Sequence, residues 1–174
     1  MSQTYQIPDG AVLSTPESAP AGETPLASRL RAGGSPAPEP HRGAMAPARF
    51  GSTAAELQAL VQKAGIFDLG YRTRLRATGK DRVRWLNGMI TQAVKSMAPG
   101  QTGYTLVLNA QGRIQGDGDL FSFEDSLLLE TDRSQTERLL SHLRRFIIMD
   151  DVRLEELDAA ETAIGIAGPQ AAGW

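Results

Sequence analysis

The chain contains no cysteine. Disulfides and thiolate metal ligands are therefore excluded within it, which fits a cytoplasmic protein. Long apolar runs are missing as well. None approaches the roughly 18 residues that a membrane-spanning helix needs. The opening Met1-Ser-Gln-Thr-Tyr5 has neither the basic nor the apolar region of a signal peptide. No sign of charge predominates. A net charge of −2 on 174 residues argues against nucleic-acid binding, which needs a basic surface to displace counterions from phosphates. The GxGxxG, P-loop, HExxH and GxSxG patterns are also absent. Gly112-Arg-Ile-Gln-Gly-Asp-Gly118 is rich in glycine, but it joins two strands and does not lead into a helix, so a phosphate-binding reading is weak.

What remains is a chain that is 41% hydrophobic, enough for a packed core over part of its length. Composition changes near residue 50. Eight of the ten prolines lie at or before Pro47, and Tyr5 is the only aromatic before Phe50. A stretch such as Ala32-Gly-Gly-Ser-Pro-Ala-Pro-Glu-Pro40 buries too little apolar surface to offset its ordering entropy. Residues 1–48 therefore read as a disordered or extended tail, with Met45 as an alternative start.

From Thr53 the pattern becomes regular. Leu57, Leu60, Val61 and Ala64 recur at helical spacing, and Gly65 is the expected C-cap. Ile66 to Ala77 reads as one strand, with Thr73, Leu75 and Ala77 opposite Arg72, Arg74 and Arg76. A helix is expected over Asp81–Ile90, with Trp85 in partial core. A hairpin of Gly103–Asn109 and Arg113–Phe123 follows, with Tyr104, Leu106 and Leu108 facing one way, and then a strand over Ser126–Glu130. Ser134-Gln-Thr-Glu137 matches a capping box ahead of a buried stripe of Leu139, Leu140, Leu143, Phe146 and Ile147. His142 falls on the polar side of that helix and reads as a surface histidine. Strands over Val152–Leu157 and Thr162–Ala167 complete the order. Strands and helices do not alternate one for one, and the central strands are joined by short turns. The expected fold class is α+β, an antiparallel sheet covered by helices. The domain is expected over 49–167, with 168–174 opening an element that is not completed.

Two patterns could carry chemistry. Asp117 and Asp119 stand about 7 Å apart on one strand face, with Gln115 beside them and Gly116 and Gly118 on the other face. Such a pair could bind a cationic or amine-bearing ligand; a solvated face beside a bulge is the alternative. The Arg72, Arg74, Arg76 strip could attract an anion, or it could protect an exposed strand edge.

Four segments, in order, resemble the N-terminal region of the folate-binding YgfZ/glycine-cleavage T-protein family. They are Ala64-Gly-Ile-Phe-Asp-Leu69; Thr78-Gly-Lys-Asp81 leading into Trp85-Leu-Asn-Gly-Met-Ile-Thr-Gln92; Gly103-Tyr-Thr-Leu-Val-Leu-Asn-Ala-Gln-Gly-Arg-Ile114; and Ile164-Gly-Ile-Ala-Gly-Pro169. The resemblance implies tetrahydrofolate as ligand. It places a catalytic, folate-facing carboxylate at Asp117, a folate-contacting tyrosine at Tyr104 and a ligand-facing side chain at Arg72. Thr131-Asp132 stands where the family often has an asparagine near the pterin, and this sequence departs from the family there. Asp119 joins the set as the second acid of the strand.

The family has two branches. The YgfZ type assists assembly or repair of iron–sulfur enzymes and is linked to tRNA modification. The aminomethyltransferase moves a one-carbon unit from a lipoyl carrier protein to tetrahydrofolate. Gly112-Arg-Ile114 and Arg144-Arg-Phe-Ile-Ile-Met-Asp-Asp-Val152 look more like the YgfZ side. The family's ligand sits among three domains, so the isolated chain is expected to be a truncated piece that binds folate weakly or is inactive.

Overall fold

The computed structural model describes residues 21–32, 37–157 and 162–173. Along the chain run β1 (Ala21–Glu23), α1 (Pro25–Ala32), β2 (Glu39–His41), β3 (Ala44–Ala46), α2 (Thr53–Gln62), β4 (Gly65–Asp68), β5 (Arg72–Thr78) and α3 (Arg82–Asn87). Then come β6 (Thr102–Leu108), β7 (Ile114–Ser122), β8 (Ser126–Asp132), α4 (Thr136–Arg144), β9 (Arg153–Glu156) and β10 (Ile164–Ala167). The centre is a five-stranded sheet in the order β6-β7-β8-β5-β9, antiparallel throughout. This is the α+β arrangement expected from the short turns between central strands.

Alternation along the central strands sets two faces. Leu75, Ala77, Val107, Leu120, Leu127 and Leu129 point to one side and pack against Trp85, Leu86, Leu139 and Leu143 of α3 and α4. Burying each large aliphatic side chain contributes about 1.5–3 kcal/mol. Met89 and Ile90 stay in this core beyond the end of α3, which is shorter than the expected Asp81–Ile90. Among the described residues the opposite face presents Arg72, Arg74, Arg76, Asp117, Asp119 and Glu130 beside Tyr104, Leu106 and Leu128.

Several expectations change. The stretch before residue 49 is not simply a tail: β1, β2 and β3 form a small sheet, and Thr24, Ala27, Ala44 and Ala46 are buried. Thr24 donates to Asp68 at 2.5 Å and accepts from the Ala27 N–H at 3.1 Å. Met45 lies inside β3, opposite Glu23 and Pro40. This core is built from alanine and threonine, so it leaves no apolar periodicity to read. Residues 1–20 and 33–36 lie outside the described residues.

The expected long strand from Ile66 is two strands in different sheets, β4 pairing with β10 and β5 with β8 and β9. Gly65 opens β4, and Lys63 is the C-cap of α2. The Thr78–Asp81 segment has a structural role: Asp81 exchanges hydrogen bonds with the Asp151 backbone. That backbone N–H holds its carboxyl below the ordinary range, with Arg84 and Lys80 adding to the effect against some desolvation.

The glycines of β7 answer a packing demand. A Cβ on Gly118 would lie 2.3 Å from the Glu130 carbonyl oxygen, and one on Gly116 would lie 2.8 Å from a Leu139 methyl. The close approach expected here is made by a neighbouring strand and a helix. Gly118→Ala should therefore destabilise the protein by about 1–3 kcal/mol, lowering Tm by roughly 3 °C or more. Thermal denaturation followed by circular dichroism measures this, and an unchanged midpoint would contradict the tight β7–β8 packing.

Candidate functional site

The open face of the sheet gathers Arg72, Tyr104, Asp117 and Asp119. In the ladder Tyr104 stands opposite Asp119, Leu106 opposite Asp117, and Asp119 opposite Glu130. Tyr104 thus reaches Asp117 diagonally, a distance that a long aromatic side chain spans. Its hydroxyl donates to Asp117 Oδ2 at 2.8 Å.

The β7–β8 ladder stops at Asp119 and Glu130. Beyond it, side chains take over the pairing. Gln135 accepts from the Asp117 backbone N–H at 3.0 Å and donates through Nε2 to Asp117 Oδ1 at 2.8 Å. Thr131 donates to the Asp117 carbonyl oxygen at 2.7 Å. Asp117 is held at four atoms, and its carboxylate has one fixed direction. The capping box expected at Ser134–Glu137 does not form. A 3-10 turn over Arg133–Gln135 leads into α4, whose N-cap Gln135 makes no side-chain cap bond. The Gln135 amide is committed to Asp117 instead.

Thr131 therefore does not face a ligand beside Asp117. It lies on the core side, 1% exposed, as a brace for the strand end. Arg72 does lie on the open face, where Nη2 donates to Asp119 at 2.8 Å and to the Glu130 carbonyl oxygen at 3.0 Å. Its Nε is 3.6 Å from the Glu130 carboxylate. Arg76 pairs with Glu155 at 2.6 Å. The arginine strip is thus largely neutralised by acids on neighbouring strands. The face of Tyr104, Leu106 and Leu108 is the outward one, while Thr105 and Val107 enter the core. A register shift at Val107/Leu108 leaves Gln115 as the extra residue of a bulge.

Gln135 and Glu130 were not singled out from the sequence, whereas Asp132 was named together with Thr131. A glutamine just before a helix carries no chemical signal of its own. Arg42 was missed too. It adopts φ 47, pairs with Asp132 at 3.2 Å and lies over the Tyr71 ring at 5.6 Å. A left-handed backbone costs a non-glycine residue roughly 1–2 kcal/mol, whereas an exposed ion pair returns at most about 1 kcal/mol. His142 is buried rather than on the surface. Its Nε2 is 3.1 Å from the Leu108 carbonyl oxygen, and its ring meets Phe146 edge-on. Phe146, expected inside, is 41% exposed. A cavity of about 180 Å³ lies along α2, lined by Ala55, Gln58, Ala59, Gln62 and Lys63, and holds none of the site residues. Among the described residues no group of three His, Cys, Asp or Glu side chains could hold a metal ion. None of their helices is long and apolar enough to cross a membrane.

The hydrogen bond to Asp117, with desolvation and the nearby carboxylate charges, holds the Tyr104 phenol above its ordinary value. The bond needs the phenol proton. Its contribution to stability is thus complete below the unfolded value of about 10 and is lost as pH rises through the folded value. A spectrophotometric titration, taken as the difference between the native protein and Tyr104→Phe, should show this tyrosine ionising later than a free one. Ionisation at or below the ordinary value would contradict the contact.

Residues 30–173 match the GCVT N-terminal domain family. An aminomethyltransferase from Nostoc sp. is 26% identical over 74% of this chain and 36% of its own length. An iron-sulfur cluster assembly factor IBA57 homolog, mitochondrial, from Aspergillus oryzae is 31% identical over 59% of this chain and 26% of its own length. The chain therefore spans about a third of the length of the curated relatives it matches. The crystal structure of glycine cleavage system aminomethyltransferase T from Bartonella henselae superposes with a TM-score of 0.76 at 20% identity, covering 89% of this chain and 42% of that one. The open-faced sheet, its clamped aspartate and this match over most of the sequence lead to one conclusion: the chain belongs to the GCVT N-terminal domain family.

Proposed function

We propose that this chain is the folate-binding portion of a YgfZ-type protein that assists assembly or repair of iron–sulfur clusters, with a link to tRNA modification, in the cytoplasm. The folded unit over 49–167, with the N-terminal sheet packed on it, is the folate-binding domain in this reading. Iron–sulfur enzymes are its expected partners. The observation that carries the reading is the fixed carboxylate of Asp117 on the open face, between Tyr104 and Gln135.

A carboxylate has about four lone-pair positions. Tyr104 and Gln135 use two of them here, one on each oxygen. Two remain for the N–H donors of a pterin ring. Tyr104, 61% exposed, offers an aromatic surface beside them. Tetrahydrofolate fits these acceptor positions, and when bound it supplies a carrier for a one-carbon unit. Asp117 orients that ligand, while Asp119, tied to Arg72, shapes the adjoining row. Gly112-Arg-Ile114, Arg144–Val152 and the IBA57 homolog support the helper branch over the transferase.

The second reading is an aminomethyltransferase that passes a one-carbon unit from a lipoyl carrier protein to tetrahydrofolate. The aminomethyltransferase relatives, which align over more of the chain, favour it. Asp117 would then be the catalytic carboxylate.

Asp117→Asn in the full-length protein is expected to weaken tetrahydrofolate binding by about tenfold, or about 1.4 kcal/mol, measured by calorimetry, and to lower iron–sulfur enzyme activity in cells. Unchanged affinity would remove Asp117 from the ligand site. Methylene transfer from the lipoyl carrier that disappears in the same variant would establish the second reading over the first.

A further inference from the structure

The β2–β3 hairpin turns through Arg42 and Gly43, with φ of 47 and 89. Two central residues with positive φ fit the twist of a two-residue hairpin, and Asn-Gly or Gly-Gly usually fills them. Arginine in the first position is off that pattern, and its exposed ion pair does not offset the backbone cost. The turn is nevertheless locked. The Ser134 N–H donates to the Arg42 carbonyl oxygen at 3.1 Å, and a Cβ on Gly43 would lie 2.3 Å from the Ser134 nitrogen. The neighbouring Gln135 holds Asp117. The turn therefore delivers the Arg42 guanidinium to Asp132, the next outward-facing residue of β8 after Glu130. His41 packs edge-on against Tyr71 at 4.6 Å, beside the guanidinium.

The charges of the face single this residue out. Arg72 and Arg76 are already engaged by Asp119, Glu130 and Glu155, and Arg74 is engaged as well. The Arg42 side chain is 55% exposed and is held by Asp132 through Nη1 alone. A guanidinium has five N–H donors, so Arg42 keeps a free edge that can grip a carboxylate in bidentate fashion.

We propose that Arg42 is a ligand-binding residue of this face, taking a carboxylate of the ligand's acidic tail, with His41 and Tyr71 as the wall beside it. This deepens the folate reading and rests on it. The basic path for the tail then runs through the N-terminal hairpin rather than through the β5 arginines.

The test uses nuclear magnetic resonance titrations of the full-length protein and of its Arg42→Asn variant, since asparagine tolerates the left-handed turn. Three probes are added separately: p-aminobenzoylglutamate, which has the tail without the pterin; a reduced pterin without the tail; and inorganic phosphate. In the unaltered protein the tail probe should shift the Arg42 and Ser134 amide signals, and Arg42→Asn should weaken its binding by about tenfold. The pterin probe should shift Tyr104 and Asp117 equally in both proteins. Equal binding of the tail probe to both proteins, or no response to it in the unaltered protein, overturns the assignment. Phosphate binding as tightly as the tail probe overturns its carboxylate specificity. A tail response that depends on Arg42, with no pterin response at Tyr104, upholds the anion site and removes the folate reading.

Discussion

Everything at the candidate site depends on the end of one ladder. Where β7 and β8 cease to pair after Asp119 and Glu130, two buried-side groups, the Gln135 amide and the Thr131 hydroxyl, take over the backbone hydrogen bonds of Asp117. A strand end left without partners would strand polar groups at a cost of about 1–3 kcal/mol each. Filling it with side chains satisfies them and also fixes the carboxylate, because the same amide that accepts from the Asp117 N–H donates to its Oδ1. Orientation of the acid is thus a by-product of ending the sheet without an unsatisfied donor.

The rest of the open face balances its own charge. Arg72 bridges Asp119 and Glu130, Arg76 meets Glu155, and Arg42 meets Asp132. The exposed pairs of Arg42 and Arg76 contribute little to stability singly. Their effect is to keep the surface from being a strong magnet for either sign. Selectivity on such a face rests on direction and on the few donors left over.

Much of the framework was legible. Alternation placed Thr73, Leu75 and Ala77 inside and Asp117 and Asp119 outside, since a strand's period of two depends only on the backbone. Helical spacing found α4 through Leu139 and Leu143. The failures have physical causes. Ser134 and Glu137 have the spacing of a cap, but the Ser134 N–H is taken by Arg42 and the neighbouring amide by Asp117. His142 is buried because a backbone carbonyl at Leu108 offers it a partner from another element. Each miss involves a contact between segments far apart in sequence, and local pattern carries no trace of such contacts.

Arg42 and Asp132 meet across a separation of 90 residues. Closing so large a loop is entropically slow, and it has no docking surface until β8 and the start of α4 are in place. The latch beside the carboxylate therefore closes only after that part of the sheet exists. Until Asp132 and Ser134 are made, a hairpin around Asp117 has no Arg42 rim, so this side of the face is completed only when the earlier segment folds back onto the later one.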